Sequence, residues 1–438
     1  MKLLLNTKLS LKVALAFLRS HQRVILGMVW LATFISLAGL MITSRKTEGA
    51  VWVTPGIFWD VAIYDRAIEA VRVGLDPYAV GLARQHLAEA TGQHAFTYVY
   101  PPITLVVLRA INLVPAWFAM ALYWLIYIAG YAAVVWAISQ FFRPQDRPVM
   151  QYAVPLIVFF PSLMTDKVIL SGNVAYVFYG LLFAATVVGW RRGVWRWFYV
   201  AMLLTASFKL PLLTLLAIPA LAGKRQWAKA TAVGAAGVSI WALQSWLWPI
   251  QFREYLESVN LQFLYNHDFG ESLAGNIGRA LYSHGMPFTI LPTLVFLAYG
   301  SILFATLYYF SRLYHAGRLS AETWFPVLLV GTVLLNPRIM QYDVHVISLA
   351  MALILWRSVA SRSRVGLALA ISVLILVIID LLGVNFYYWD DIRNMCILMA
   401  VMGLGLRSLV VEASESEERV FVIPLTVQPN RAVGEIET

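Results

Sequence analysis

Asp60 and Tyr64 stand four residues apart in the stretch Trp59-Asp60-Val61-Ala62-Ile63-Tyr64-Asp65-Arg66-Ala67-Ile68-Glu69-Ala70. On a helix that spacing puts both side chains on one face. A carboxylate in a partly dry cleft can take the proton of a hydroxyl as general base. The same carboxylate near a helix N-terminus is also favoured simply by the helix dipole. Ile63, Ala67, Ala70 and Val71 form a second, apolar stripe that can lie on a membrane surface.

Three further groups of polar residues interrupt apolar sequence. Lys209, in Ser207-Phe208-Lys209-Leu210-Pro211, either snorkels to headgroups or neutralises a phosphate. Asn173, after Ser171-Gly172, either caps the helix that follows or bonds a sugar hydroxyl. The stretch Asn336-Pro337-Arg338-Ile339-Met340-Gln341-Tyr342-Asp343-Val344-His345 is polar between two apolar runs. Arg338 there can hold a phosphate bidentately, and Asp343 and His345 can bind sugar or acceptor. The plainer alternative is a turn closed by an Asp343–Arg338 pair. Tyr98, Tyr100, Pro101 and Pro102 make a stiff aromatic turn, either an interfacial belt or a wall for a sugar. No zinc spacing, P-loop, dinucleotide fingerprint or G-x-S-x-G occurs, which argues against direct use of ATP. His267 and Asp268 are too few to argue for a metal, and none is expected.

What must position these residues is read from composition. The 438 residues are 60% hydrophobic and 13% charged, about half the charge that a soluble chain carries. Successive apolar runs of near-spanning length predict an all-α polytopic membrane protein. The net charge of +10 is spread over short loops, the pattern of membrane orientation rather than of nucleic-acid binding. Cys396 is the single cysteine, so no internal disulfide forms. The basic N-terminus and the run 24–42 read as a retained first span.

Placing the basic loops 143–147, 191–196, 224–229, 312–318 and 357–364 in the cytoplasm predicts about twelve crossings with both termini cytoplasmic. The expected spans are 24–42, 116–141, 152–163, 174–190, 197–208, 211–222, 231–249, 286–310, 323–335, 344–357, 365–384 and 394–410. The membrane domain is then 1–410, with external loops at 43–101 and 250–285 and a polar, poorly ordered cytoplasmic tail at 411–438. The run 102–114, too short for a hydrocarbon core, is expected to be re-entrant. Polar hinges at 165–173, 207–211 and 336–345 all fall on the external side with Asp60. Broken helices are tolerated at membrane depth only where protein or a water-filled cavity satisfies their backbone, so one shared external cavity is predicted.

The order of these features resembles the GT-C glycosyltransferases, and most closely glycosyltransferase family 87. The matching features are Asp60 after the first span, Asp76-Pro77-Tyr78, Tyr100-Pro101-Pro102, Gly172-Asn173, Lys209 with Pro211, and Asn336-Pro337. That family includes polyprenol-phosphate-mannose-dependent mannosyltransferases. The resemblance implies a GT-C bundle with amphipathic helices in its external loops, in the plasma (inner) membrane. It implies an inverting transfer of a sugar from a polyprenyl-phosphate donor to a lipid or glycan acceptor on the external or periplasmic face. Asp60 matches the family's catalytic aspartate, with Lys209, Arg338 and His345 available to the leaving phosphate. Tyr64, Tyr100, Asn173, Tyr342 and Asp343 are left for sugar and acceptor. No cofactor is implied. Asn173 stands where the family more commonly has glutamine, and 336–345 departs from its commoner Ser-Pro form. A transporter or flippase of a lipid-linked or small polar substrate is the alternative, which an internal repeat would favour; none is evident.

Overall fold

The computed structural model describes residues 58–90, 96–153, 166–264, 268–286, 289–361 and 389–421, with isolated positions within 23–35 and 364–375. Every regular element among the described residues is helical. The expected spans 24–42, 152–163 and 365–384 fall largely outside them.

Three described helices are long and apolar enough to cross a membrane: Ala116–Ser139, Leu291–His315 and Ile392–Glu417. Three shorter apolar helices lie at Leu210–Ala222, Ala321–Leu334 and Ser348–Ala360. The expected count of about twelve is therefore not reproduced among the described residues. One physical reason is that the chain breaks at its polar hinges, leaving pieces shorter than a bilayer. Ala321–Leu334, at 14 residues, is about 21 Å long against a core of about 30 Å.

Among the residues described continuously from 58 on, three short helices come ahead of the first long one. Helix α1 (Trp59–Arg72) and α2 (Pro77–Ala90) are joined through Gly74, whose φ of +77° suits glycine. Asp76 accepts the Tyr78 amide at 2.9 Å, an Asx turn that starts α2. Helix α3 (Thr104–Ile111) has eight residues, about 12 Å, and cannot cross. The apolar stripe of α1 packs on protein rather than on a membrane surface. Ala67 joins Tyr78, Tyr98, Leu105 and Leu108 in a small core, with Ile63, Ile68 and Val71 against it. The reason is that α2, α3 and the 98–102 turn supply an apolar surface that covers the stripe.

Helix α4 (Ala116–Ser139) and α6 (Ala175–Arg192) pack backbone to backbone at Gly130 and Gly180, with α5 (Arg147–Ala153) between them in sequence. A Cβ on Gly180 would lie 2.2 Å from the Gly130 carbonyl oxygen, so only glycine permits this approach. Helix α7 (Arg196–Phe208) ends at Lys209, and a 3₁₀ turn (Leu210–Leu216) leads into α8 (Ala217–Ala222). Pro211 has no amide hydrogen to continue α7, which fixes the break. Helix α9 (Trp227–Leu247) is followed by two helices of the second loop, α10 (Pro249–Leu264) and α11 (Leu273–Ser283). Helix α12 (Leu291–His315) precedes α13 (Ala321–Leu334), which is buried from Thr323 to its end. Being apolar all round, α13 belongs at the centre of the bundle. Then come α14 (Gln341–Val346), α15 (Ser348–Ala360) and α16 (Trp389–Phe421).

Helix α16 carries order beyond the point where a loose tail was expected. Glu412 accepts the Ser320 amide at 2.8 Å and lies 3.8 Å from Arg143, and Glu417 pairs with Arg318. These arginines come from loops at the start of α13 and the end of α4, and they hold the acidic turns of α16 in place. The same end of the bundle contains the Asp146–Arg357 pair. The opposite end of α13 is the 336–345 hinge.

Candidate functional site

The three hinges and the start of α1 meet at that opposite end. The Phe58 amide donates to the Leu170 carbonyl at 2.7 Å, and the Asp60 amide donates to the Ser171 carbonyl at 3.1 Å. Gly172, with φ +71°, makes the approach possible: a Cβ there would lie 2.3 Å from Val61 Cγ2. The 169–173 segment is also held from α4, where Tyr123, Tyr127 and Tyr131 recur every fourth residue on one face. The Tyr127 hydroxyl donates to the Ile169 carbonyl at 2.7 Å, and Tyr123 donates to the Gly172 carbonyl.

Asp60 receives side-chain hydrogen bonds from Asn173 and Ser171. The surrounding bonds fix their direction. Asn173 Oδ1 accepts the Ala175 amide at 2.9 Å, so its Nδ2 is left to donate to the carboxylate. Ser171 Oγ accepts the Asn173 amide at 3.1 Å, which leaves its hydroxyl hydrogen for Asp60. Asn173 thus both caps α6 and holds Asp60. Burial in this cleft pushes the Asp60 carboxyl up to about 6, against the two hydrogen bonds and the attraction of Lys209, which favour its ionised form. A carboxylate with that affinity for protons is well matched to a general base near neutral pH.

Tyr64, one turn on from Asp60, shares a hydrogen bond with Tyr100 at 2.7 Å between hydroxyl oxygens, and its oxygen accepts the Val174 amide at 3.2 Å. Tyr100 is fixed in turn by Tyr78, whose hydroxyl donates to the Tyr100 carbonyl at 2.5 Å. Burial and the neighbouring rings and carboxylate hold the hydroxyls of Tyr64 and Tyr100 well above the usual phenol range, so both stay protonated donors.

From the second hinge comes Lys209. Its Nζ lies 3.6 Å from the centre of the Tyr342 ring, a cation–π contact with the third hinge. Asp60, Asp268, Arg338 and Asp343 all lie within electrostatic range of it. The lysine is therefore held inside the cluster by protein groups rather than reaching away from it.

The third hinge differs from its plainer sequence reading. Arg338 pairs with Asp268 of the second loop at 2.9 Å, not with Asp343, and also donates to the Asp268 carbonyl at 3.1 Å. Its guanidinium stands 4.9 Å from the Phe263 ring centre. Asp343 instead faces inward: it accepts the Tyr179 hydroxyl at 2.8 Å, the Met340 amide at 2.9 Å and Asn336 Nδ2 at 3.4 Å. His345, 5% exposed, shares a hydrogen bond with Tyr176 at 2.9 Å and stacks near Tyr131. Asp343 and His345 are thus committed to neighbours, whereas Asp60, Lys209 and Arg338 form the charged face of the site.

Sequence reasoning passed over Asp268 as a partner, the Ser171 hydroxyl, and the tyrosines of α4 and α6. The four-residue spacing of Tyr123, Tyr127 and Tyr131 was the signal for the α4 set. His267 lies outside the described residues. As an arrangement, a proton acceptor, two cations and a ring of hydroxyl donors suit transfer between a hydroxyl and a phosphorylated group.

Comparison with known sequences agrees with this chemistry. The family model for glycosyltransferase family 87 matches residues 98–337, more than half of the chain. No curated protein matches it.

Proposed function

The chain belongs to glycosyltransferase family 87 and is a membrane glycosyltransferase, and we propose that its donor is a polyprenyl-phosphate sugar and its acceptor a lipid or glycan hydroxyl. Asp60 is the general base. It takes the acceptor proton as the acceptor oxygen attacks the anomeric carbon from the face opposite the phosphate. The anomeric C–O bond breaks, its electron pair leaves with the phosphate oxygen, and the sugar's configuration inverts.

The developing charge on the phosphate falls to Lys209 and Arg338, the two cations of the cluster. Tyr64, Tyr100, Asn173 and the Tyr342 ring orient sugar and acceptor. Asp343 and His345 act as supports, holding Tyr179 and Tyr176 and shaping the hinge that bears Arg338. The active face is external or periplasmic, with both termini in the cytoplasm. The observation that supports this reading most is the meeting of three broken helices around one carboxylate whose proton affinity burial has raised.

The test is transfer of a labelled sugar from synthetic polyprenyl-phosphate sugars to a membrane lipid extract, with the anomeric configuration of the product read by NMR. The expected product has inverted configuration. Retention of configuration, or transfer only from a nucleotide sugar, would contradict the proposal.

A further inference from the structure

Arg338 brings a guanidinium to the site, and its Nη2 is already committed to Asp268. Asp268 holds it through both a carboxylate oxygen at 2.9 Å and the main-chain carbonyl at 3.1 Å. Its Nε is buried and has no hydrogen-bond partner. The loop bearing Asp268 is itself zipped to the hinge. The Glu271 amide donates to the Ile339 carbonyl at 2.6 Å, and the Ser272 hydroxyl donates to the Pro337 carbonyl at 2.5 Å. Gly270, with φ +79°, sits where a Cβ would lie 2.6 Å from the Ile339 oxygen. Asp268 therefore stands at a fixed place beside Arg338.

The charges of the cluster explain why that place matters. Asp60, Asp268 and Asp343 share it with Lys209 and Arg338. In the transfer proposed above, Asp60 gains the acceptor proton and loses its charge. The phosphate meanwhile changes from a singly charged diester to a monoester whose second ionisation lies near pH 6. One negative charge thus moves from the Asp60 side of the cleft to the phosphate. A cation that tightens on the phosphate as this happens lowers the barrier, but it also retains the product.

We infer that Asp268 is a positioning residue that competes with the lipid phosphate for Arg338, limiting how tightly the polyprenyl phosphate product is held. The inference rests on the transferase reading of this site. Arg338 exchanges Asp268 for phosphate oxygens as the glycosidic bond forms, and Asp268 takes the guanidinium back when the product leaves. Asn at this position keeps the shape and the main-chain carbonyl but removes the competing charge.

The experiment measures equilibrium binding of farnesyl monophosphate to the purified full-length protein in detergent, for wild type, Asp268→Asn, Asp268→Ala and Asp268→Glu. Each variant is tested again with Arg338→Gln. The expected result is about tenfold tighter binding for Asp268→Asn and Asp268→Ala, the range of a hydrogen bond to a charged group. Asp268→Glu returns affinity toward wild type. In the Arg338→Gln background the gain disappears, which separates competition for Arg338 from mere loss of a nearby negative charge. In turnover, Asp268→Asn lowers kcat through slower product release while kcat/KM for the donor does not fall. Unchanged or weaker binding by Asp268→Asn and Asp268→Ala, with wild type binding normally, overturns the inference alone. A gain that persists without Arg338 also overturns it. Failure of wild type to bind farnesyl monophosphate at all overturns both the inference and the polyprenyl-phosphate reading.

Discussion

Two carboxylates near opposite ends of the bundle have opposite surroundings. Asp146, 1% exposed, is met by Arg357 at 2.6 Å and by the Arg143 amide at 2.9 Å. Arg357 also donates to the Glu322 carbonyl at 2.6 Å and the Phe141 carbonyl at 3.3 Å, so the pair is tied to two further parts of the fold. Asp60 has neutral donors from Asn173 and Ser171, and the cations of its cleft interact with it only at a distance or with other partners. The difference teaches where each carboxylate's worth lies. A buried ion with every acceptor matched serves the fold; one held half-satisfied over open cation chemistry keeps a raised proton affinity that the fold itself does not need.

The sharpest way to break this comparison is to remove each charge with little change of shape. Asp60→Asn lowers kcat by about a thousandfold, within the range of a lost general base. Burial opposes Asp60's ionisation, so its folded pKa lies above the ordinary 3.8 and wild-type stability declines as pH rises through the interval up to about 6. Asp60→Asn removes that decline, and its thermal midpoint is expected at or above that of wild type above pH 6. Asp146→Asn does the reverse. It leaves Arg357 buried without its partner and costs about 3–5 kcal/mol of stability, while the molecules that remain folded turn over normally. Thermal unfolding and specific activity measured on the same two preparations decide whether the assignments stand.

Smaller effects sharpen the picture of the hinge end. Lys209→Met weakens donor binding by about tenfold, the scale of a lost charged contact to phosphate; unchanged KM would return the lysine to a packing role on Tyr342. Gly172→Ala strains a left-handed backbone by about 1–2 kcal/mol and drives its methyl into Val61. The expected outcome is lower kcat, partly restored when Val61→Ala makes room. Restoration of nothing would mean that the 169–173 segment does not hold Asp60 in register. Tyr64→Phe is expected to be the mildest, a severalfold loss, since Tyr100 and the Val174 amide lose one partner each.

Much of this site was legible because polarity is costly inside apolar sequence. Asp60 with Tyr64, Asn173, Lys209 and the 336–345 stretch stood out against their surroundings, and the broken helices that bear them do meet. What the sequence could not supply were partners across the fold. Arg338 has Asp343 five residues away, yet it pairs with Asp268, 70 residues distant, because Asp343 turns inward to Tyr179 and the Met340 amide. The apolar stripe of α1 carried no mark to distinguish a membrane from the tyrosine-rich surface of its neighbours. Likewise the acidic turns after Arg407 read as solvated until the arginines of two distant loops were brought beside them.

The most direct test of the central assignment is the pH dependence of kcat/KM for the donor, which reports groups of the free enzyme. With Asp60 as base and its carboxyl near 6, kcat/KM should fall about tenfold per pH unit below pH 6 and level off above it. A profile that stays level down to pH 4, in protein shown to remain folded, would mean that the proton goes elsewhere and that Asp60 is not the base.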